Sequence, residues 1–238
     1  MIEFFYAPTP NGWKVGIMLE ECGLPYRLRL MRLSEGDQFT PEFRAISPNA
    51  KMPAILDHAP PPEYGADPVP VFESGAILLY LAEKAGQFLP TAALARKELH
   101  EWLFWQVANQ GPMGGQLSHF RNYAPEGQGY SRDRYAGEYE RNLAVLDVRL
   151  AERPYILGDD YTIADMLAFP WAFIAKPLGA DLGGFPAVAD WRARLKARPA
   201  VQRAIDLAKD QQNRGRHNAS NTPLLYNQSA AHIRGETG

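Results

Sequence analysis

The chain has 238 residues, 46% hydrophobic and 22% charged, a globular composition that argues against a mostly disordered chain and allows one large or two small domains. Its 25 basic and 27 acidic residues leave a net charge of −2, which excludes a global electrostatic grip on nucleic acid or on an anionic membrane. No apolar run approaches the roughly 18–20 residues of a membrane span, and Met1–Tyr6 shows neither the basic stretch nor the long apolar run of a secretory signal, so a cytoplasmic setting is expected.

The first 90 residues alternate short apolar runs with helical patterns. Ile2–Tyr6 reads as a strand, and Pro8-Thr9-Pro10-Asn11-Gly12 as a turn. From Lys14 the apolar positions Val15, Met18, Leu19 and Cys22 recur at helical spacing, and Gly23 is a natural stop. Tyr26–Leu30 predicts a second strand, and a short helix falls near Pro41-Glu42-Phe43. Met52–Leu56 and Val69–Phe72 read as two more strands, followed by a strongly helical pattern through Ile77, Leu78, Tyr80 and Leu81 that ends at Gly86. The predicted order is β-α-β-α-β-β-α. Beyond about Ala92 the strand patterns vanish. Helices are predicted over Glu98–Met113, over Arg132–Arg153 with Tyr135, Tyr139, Leu143, Leu146 and Leu150 on one face, from Thr162, over Ala187–Ala197, and from Pro199. The reading is therefore an α/β domain over 1–86, a linker at Phe88-Leu89-Pro90, an all-α domain over 92–208, and an extended polar tail over 209–238 draped on the body.

Most common catalytic signatures are absent: there is no phosphate loop, no GxGxxG and no GxSxG elbow. His100-Glu101 begins like HExxH, but Phe104 stands where the second histidine would be, and no metal site is expected. One cysteine, Cys22, cannot make an internal disulfide, a CxxC pair or a zinc cage. It falls on an apolar helical stripe near a helix C-terminus, where the dipole disfavours thiolate, so a structural core role is expected.

Four segments carry information. The turn Ala7–Gly12 puts free backbone N–H groups, the Thr9 hydroxyl and the Asn11 amide at a helix start, which suits an anion or equally a simple helix cap. Lys51-Met52-Pro53-Ala54-Ile55 has a proline at the start of a central-looking strand. Either a cis-proline exposes the Met52 backbone as a docking edge, or the strand lies at the sheet edge with a trans-proline. At Phe72-Glu73-Ser74-Gly75, Glu73 and Ser74 stand where a strand meets a helix; they can read the ammonium and carboxylate of an α-amino acid end, or cap the helix. Thr162-Ile163-Ala164-Asp165 has the spacing of a capping box.

In this order the segments resemble the cytosolic glutathione transferases, in which a thioredoxin-like domain precedes a helical-bundle domain. The resemblance covers about residues 1–208 and is narrowest to the bacterial nu class, which is also similar to the transferase-like domain of a yeast nitrogen-regulation prion protein. It rests on Phe5–Gly12, Gly36-Asp37-Gln38-Phe39, Ile46-Ser47-Pro48-Asn49, Phe72–Lys84 and Trp102-Leu103-Phe104-Trp105-Gln106.

That resemblance implies a bound glutathione, with Asn11, Gln38, the backbone of Met52 beside Pro53, Glu73 and Ser74 at binding positions. Thr9 and Asn11 would face the sulfur as the catalytic pair, Lys51 would contact the glycyl carboxylate, and Arg134 would help hold a second glutathione. It implies reduction of small disulfides without a protein cysteine, in a cytoplasmic homodimer. Conjugation of electrophiles, reduction of organic hydroperoxides and a non-catalytic glutathione-binding regulator are the alternatives. Tyr6, Phe39 and Trp102-Phe104-Trp105 are expected at the dimer interface or in the core, and Gly111–Gly115 and Tyr123–Tyr130 as an irregular substrate-pocket lining.

Overall fold

The structure is a computed structural model that describes residues 1–209, 222–226 and 228–234. It divides into two compact units, one of Met1–Ala85 with the chain from Arg203 onward, the other of Gly86–Gln202.

The first unit is built on a four-stranded sheet of β1 (Ile2–Tyr6), β2 (Tyr26–Leu30), β3 (Ala54–Asp57) and β4 (Val69–Phe72), ordered β2-β1-β3-β4. β1 runs parallel to β2 and antiparallel to β3, and β4 is antiparallel to β3. Alternation along β1 sends Ile2, Phe4 and Tyr6 into the core. Phe5 points to the other face, where it packs with Phe43, Met31 and Ala54. That second face is covered by α2 (Pro41–Ile46), capped by the Thr40 hydroxyl. The helices α1 (Pro10–Cys22) and α3 (Ser74–Ala85) pack on each other. Pro70 falls in β4, the outermost strand, where a missing N–H does not break the ladder. This is the α/β arrangement expected from the sequence.

The second unit is helical: α4 (Ala93–Trp105), α5 (Gly111–Asn122), α6 (Gly129–Leu150), α7 (Ile163–Phe173) and α8 (Pro186–Lys196), with the division between units falling inside α9 (Pro199–Asp206). α7 is its buried centre, with Ile163 through Ala172 all buried. A π-helical turn over Gln106–Gln110 joins α4 to α5 without a break. Gly111–Gly115 is therefore helical and close-packed rather than an irregular lining: a Cβ on Gly114 would lie 2.7 Å from the Trp171 ring. Tyr6 belongs to the core, Phe39 is half-buried, Trp102 and Trp105 pack edge to face, and Phe104 is exposed.

The capping box at Thr162 and Asp165 is formed, and it does more than cap. The buried Asp165 carboxylate accepts from Thr162 N (3.0 Å), Ile156 N (2.9 Å) and Trp191 Nε1 (2.9 Å), tying the 154–162 loop and α8 to the start of α7. Burial pushes its carboxyl up to about 6, against the pull of these donors.

Of the segment expected as an extended tail, residues 210–221, 227 and 235–238 lie outside the described residues. Within those described, α10 (Thr222–Leu225) and α11 (Ala230–Arg234) are short helices rather than extended chain.

Replacing Asp165 with alanine orphans several buried donors at once. It is expected to destabilise the protein by about 3–5 kcal/mol, with Asp165→Asn costing less, in urea unfolding followed by circular dichroism.

Candidate active site

Between β1 and α1 the chain turns at Ala7–Thr9. Thr9 is extended (φ −131°, ψ 162°), and its Oγ1 accepts the Gly12 N–H at 3.2 Å. The two readings of this turn are compatible: the hydroxyl oxygen caps the helix, and its hydrogen remains to be donated outward. Pro10 opens the helix at a position where an N–H would be orphaned in any case. Thr9 and Asn11 are half-buried at the positive end of a 13-residue helix. The turn is pressed hard onto the end of β1. A Cβ on Gly12 would fall 2.3 Å from Ala7 O and 2.9 Å from the Tyr6 ring, so no other residue fits there.

The Met52–Pro53 bond is cis, and β3 is an interior strand, which decides the alternative left open by the sequence. Among the described residues the Met52 main chain makes no hydrogen bond, so its N–H and C=O form a short docking edge. Its Sδ accepts the Ala7 N–H at 3.1 Å, which sets this edge against the β1–α1 turn. Pro53 is buried behind it.

The third piece is the corner between β4 and α3. Glu73 is exposed and has φ +67°, a conformation that costs energy for a residue with a Cβ and that clusters at functional sites. Its carbonyl accepts the Ile77 N–H at 2.9 Å and its carboxylate takes the Asn49 Nδ2 at 3.4 Å. Ser74, 8% exposed, is the first residue of α3, and its Oγ accepts from Lys14 Nζ at 3.4 Å. A carboxylate at Ser74 would meet the helix N-terminus, while Glu73 would stand ready for an ammonium.

Lys14 was not singled out in the sequence as a site residue. It is 2% exposed, inside α1. Burial pushes its ammonium down to about 7, with the Glu73 carboxylate opposing. The available signal was its position: a lysine flanked by Trp13, Val15, Gly16 and Ile17, inside a run that is otherwise apolar.

Gln38 is buried and donates from Nε2 to Leu33 O (3.2 Å) and Leu224 O (3.3 Å). Lys51 is exposed and donates to Gln228 Oε1 at 3.3 Å. Thr9, Asn11, Met52, Pro53, Glu73 and Ser74 are thus connected through the turn, the Met52 sulfur and Lys14, and Gln38 and Lys51 lie in the same unit. Arg134 belongs to the helical unit, exposed on α6, where it pairs with Glu138 at 2.8 Å. Cys22 is half-buried, less enclosed than a core position, and burial pushes its thiol up to about 11.

Residues 9–84 match the glutathione S-transferase N-terminal domain and residues 129–194 the glutathione S-transferase C-terminal domain. The disulfide-bond oxidoreductase YfcG of Escherichia coli is 47% identical over 205 residues, 86% of this chain and 94% of that protein. A glutathione transferase from Burkholderia graminis, solved with two glutathione molecules per subunit, is 46% identical with a TM-score of 0.82, covering 87% of this chain and 88% of that one. Another from Pseudomonas putida, solved with one glutathione disulfide per subunit, is 40% identical with a TM-score of 0.79, covering 87% and 91%. The chain belongs to the glutathione transferase family, a family of enzymes.

Because Lys14 holds its proton less tightly folded than unfolded, the unfolded state binds more protons above about pH 7. Its contribution to stability therefore rises with pH over that range. Lys14→Met is expected to be more stable than the wild type at pH 7. That advantage should shrink steadily by pH 9, read as the difference in urea midpoints.

Proposed function

We propose that the protein reduces small disulfides with glutathione, using the bound glutathione thiolate in place of a protein cysteine. The observation that carries this reading is the Thr9 hydroxyl at the positive end of α1: its oxygen accepts the Gly12 N–H, and its hydrogen has no acceptor among the described residues. A free thiol with a pKa near 8.5 is only about 3% thiolate at pH 7, and majority ionisation requires a shift of about 2 units, or roughly 2.7 kcal/mol. A hydrogen bond to a charged group contributes about 1.5–3 kcal/mol, and the helix N-terminus about 0.3–1 kcal/mol. One hydroxyl and one helix therefore suffice. No general base is needed.

In this reading glutathione lies along the first unit. Its γ-glutamyl carboxylate meets Ser74, its ammonium meets Glu73, its peptide backbone pairs with Met52 beside Pro53, and its sulfur faces Thr9 and Asn11. The thiolate attacks one sulfur of the substrate disulfide, forming a mixed disulfide and releasing the first product thiolate, which takes up a proton. A second glutathione, held in part by Arg134, attacks the glutathionyl sulfur. It gives glutathione disulfide and the second product thiol. The Cys22 thiol, pushed up to about 11, is a poor candidate for that resolving role. Support comes from the relatives with two glutathiones, or one glutathione disulfide, per subunit. The reading carries with it a cytoplasmic homodimer, as the sequence resemblance implies.

The test is glutathione-dependent reduction of a small organic disulfide, coupled to glutathione reductase. Thr9→Val should lower kcat/KM by about 10- to 100-fold, the equivalent of one hydrogen bond to a charged group. Thr9→Val with Asn11→Ala should lower it further. Cys22→Ala should leave it intact. Full activity in the double variant, or a large loss in Cys22→Ala, sinks the assignment. Glutathione binding without turnover in the wild type points to the regulatory alternative.

A further inference from the structure

Gln38 and Lys51, two of the residues assigned to glutathione, are both engaged by the same part of the chain, the C-terminal segment that the sequence resemblance leaves out. Gln38 Nε2 donates to Leu224 O at 3.3 Å as well as to Leu33 O at 3.2 Å. Lys51 Nζ donates to Gln228 Oε1 at 3.3 Å, and Gln228 Nε2 returns to Leu224 O at 2.8 Å. The Leu224 carbonyl is thus a node shared by Gln38 and Gln228. Its side chain lies over Gly36, where a Cβ would stand 3.8 Å from Leu224 Cδ2. Farther along, Arg44 donates to Ile233 O at 2.7 Å and the His232 ring lies 5.0 Å from that of Phe39. Leu224, Gln228, His232 and Ile233 therefore each contact the 36–51 region.

Resting on the glutathione reading above, we propose that Gln228, braced by the Leu224 carbonyl, belongs to the binding site: it positions Lys51 for the glycyl carboxylate of glutathione. An exposed lysine on a flexible four-carbon stem loses rotamer entropy when it is fixed on a ligand. Gln228 fixes it beforehand. It uses one of the three ammonium N–H groups and leaves two for a carboxylate. Both N–H groups of the Gln38 amide are taken by carbonyls, so the side chain cannot turn over. Its Oε1 is buried and has no partner among the described residues. Gln228 is a positioning residue in this account: it acts on the ligand through Lys51.

The experiment is calorimetric titration of the full-length chain with two ligands, glutathione and glutathione amidated at its glycyl carboxylate. For the wild type, glutathione should bind about 10-fold more tightly than the amide. Gln228→Leu should remove most of that preference, weakening glutathione severalfold while leaving the amide within 2-fold. In a Lys51→Met background, Gln228→Leu should have no further effect on glutathione. Unchanged glutathione affinity in Gln228→Leu overturns the proposal, as does tighter binding, which would make the segment a competitor. Equal weakening of both ligands overturns it too, by reducing Gln228 to a structural role. A wild type that binds neither ligand overturns the glutathione reading itself, and the proposal with it.

Discussion

The first turn of α1 is pressed against the end of β1 so closely that Gly12 has no room for a side chain. Much of the candidate site follows from that contact. It brings the Gly12 N–H onto Thr9 Oγ1, which leaves the hydroxyl hydrogen to be donated elsewhere. It places Ala7 where its N–H meets the Met52 sulfur, so the docking edge before the cis-proline lies beside the same turn. A larger residue at position 12 would move the helix N-terminus, the hydroxyl and the Met52 edge together.

The second constraint is charge. In the proposed reading a tripeptide with two carboxylates and an ammonium meets charged groups of the first unit that lie at different depths. Glu73 is exposed in a strained conformation, Lys51 is exposed but tethered, and Lys14 is buried beneath Ser74. A buried ammonium is costly unless it has partners. Lys14 donates to the Ser74 hydroxyl, and Ser74 is the residue that the proposed reading gives to the γ-glutamyl carboxylate. The one cysteine contributes nothing comparable, since burial raises its thiol rather than lowering it.

The strands and most helices were legible because their residues obey simple periodicities: Ile2, Phe4 and Tyr6 alternate, and Tyr139, Leu143, Leu146 and Leu150 repeat at helical spacing. The Thr9, Pro53 and Glu73-Ser74 segments were legible as turn chemistry, although each left a choice between a cap or edge and a binding role. The cis bond at Pro53 and the positive φ at Glu73 bear on those choices, and neither is visible in composition. Gly111–Gly115 misled because glycine and proline usually break helices. Here the glycines admit Trp171 at close range and the proline sits in a first turn. Lys14 was hidden because its burial depends on the packing of α1, and the role of Leu224 and Gln228 because their contacts lie more than 170 residues away in sequence.

The central claim is that a bound tripeptide supplies the thiolate. It is tested most directly by titrating the ultraviolet absorbance of the thiolate in the glutathione complex of Cys22→Ala. The account predicts that the bound thiol is at least half ionised at pH 7, and that Thr9→Val returns it towards the free value near about 8.5. A bound thiol that titrates near that free value with Thr9 in place would contradict it.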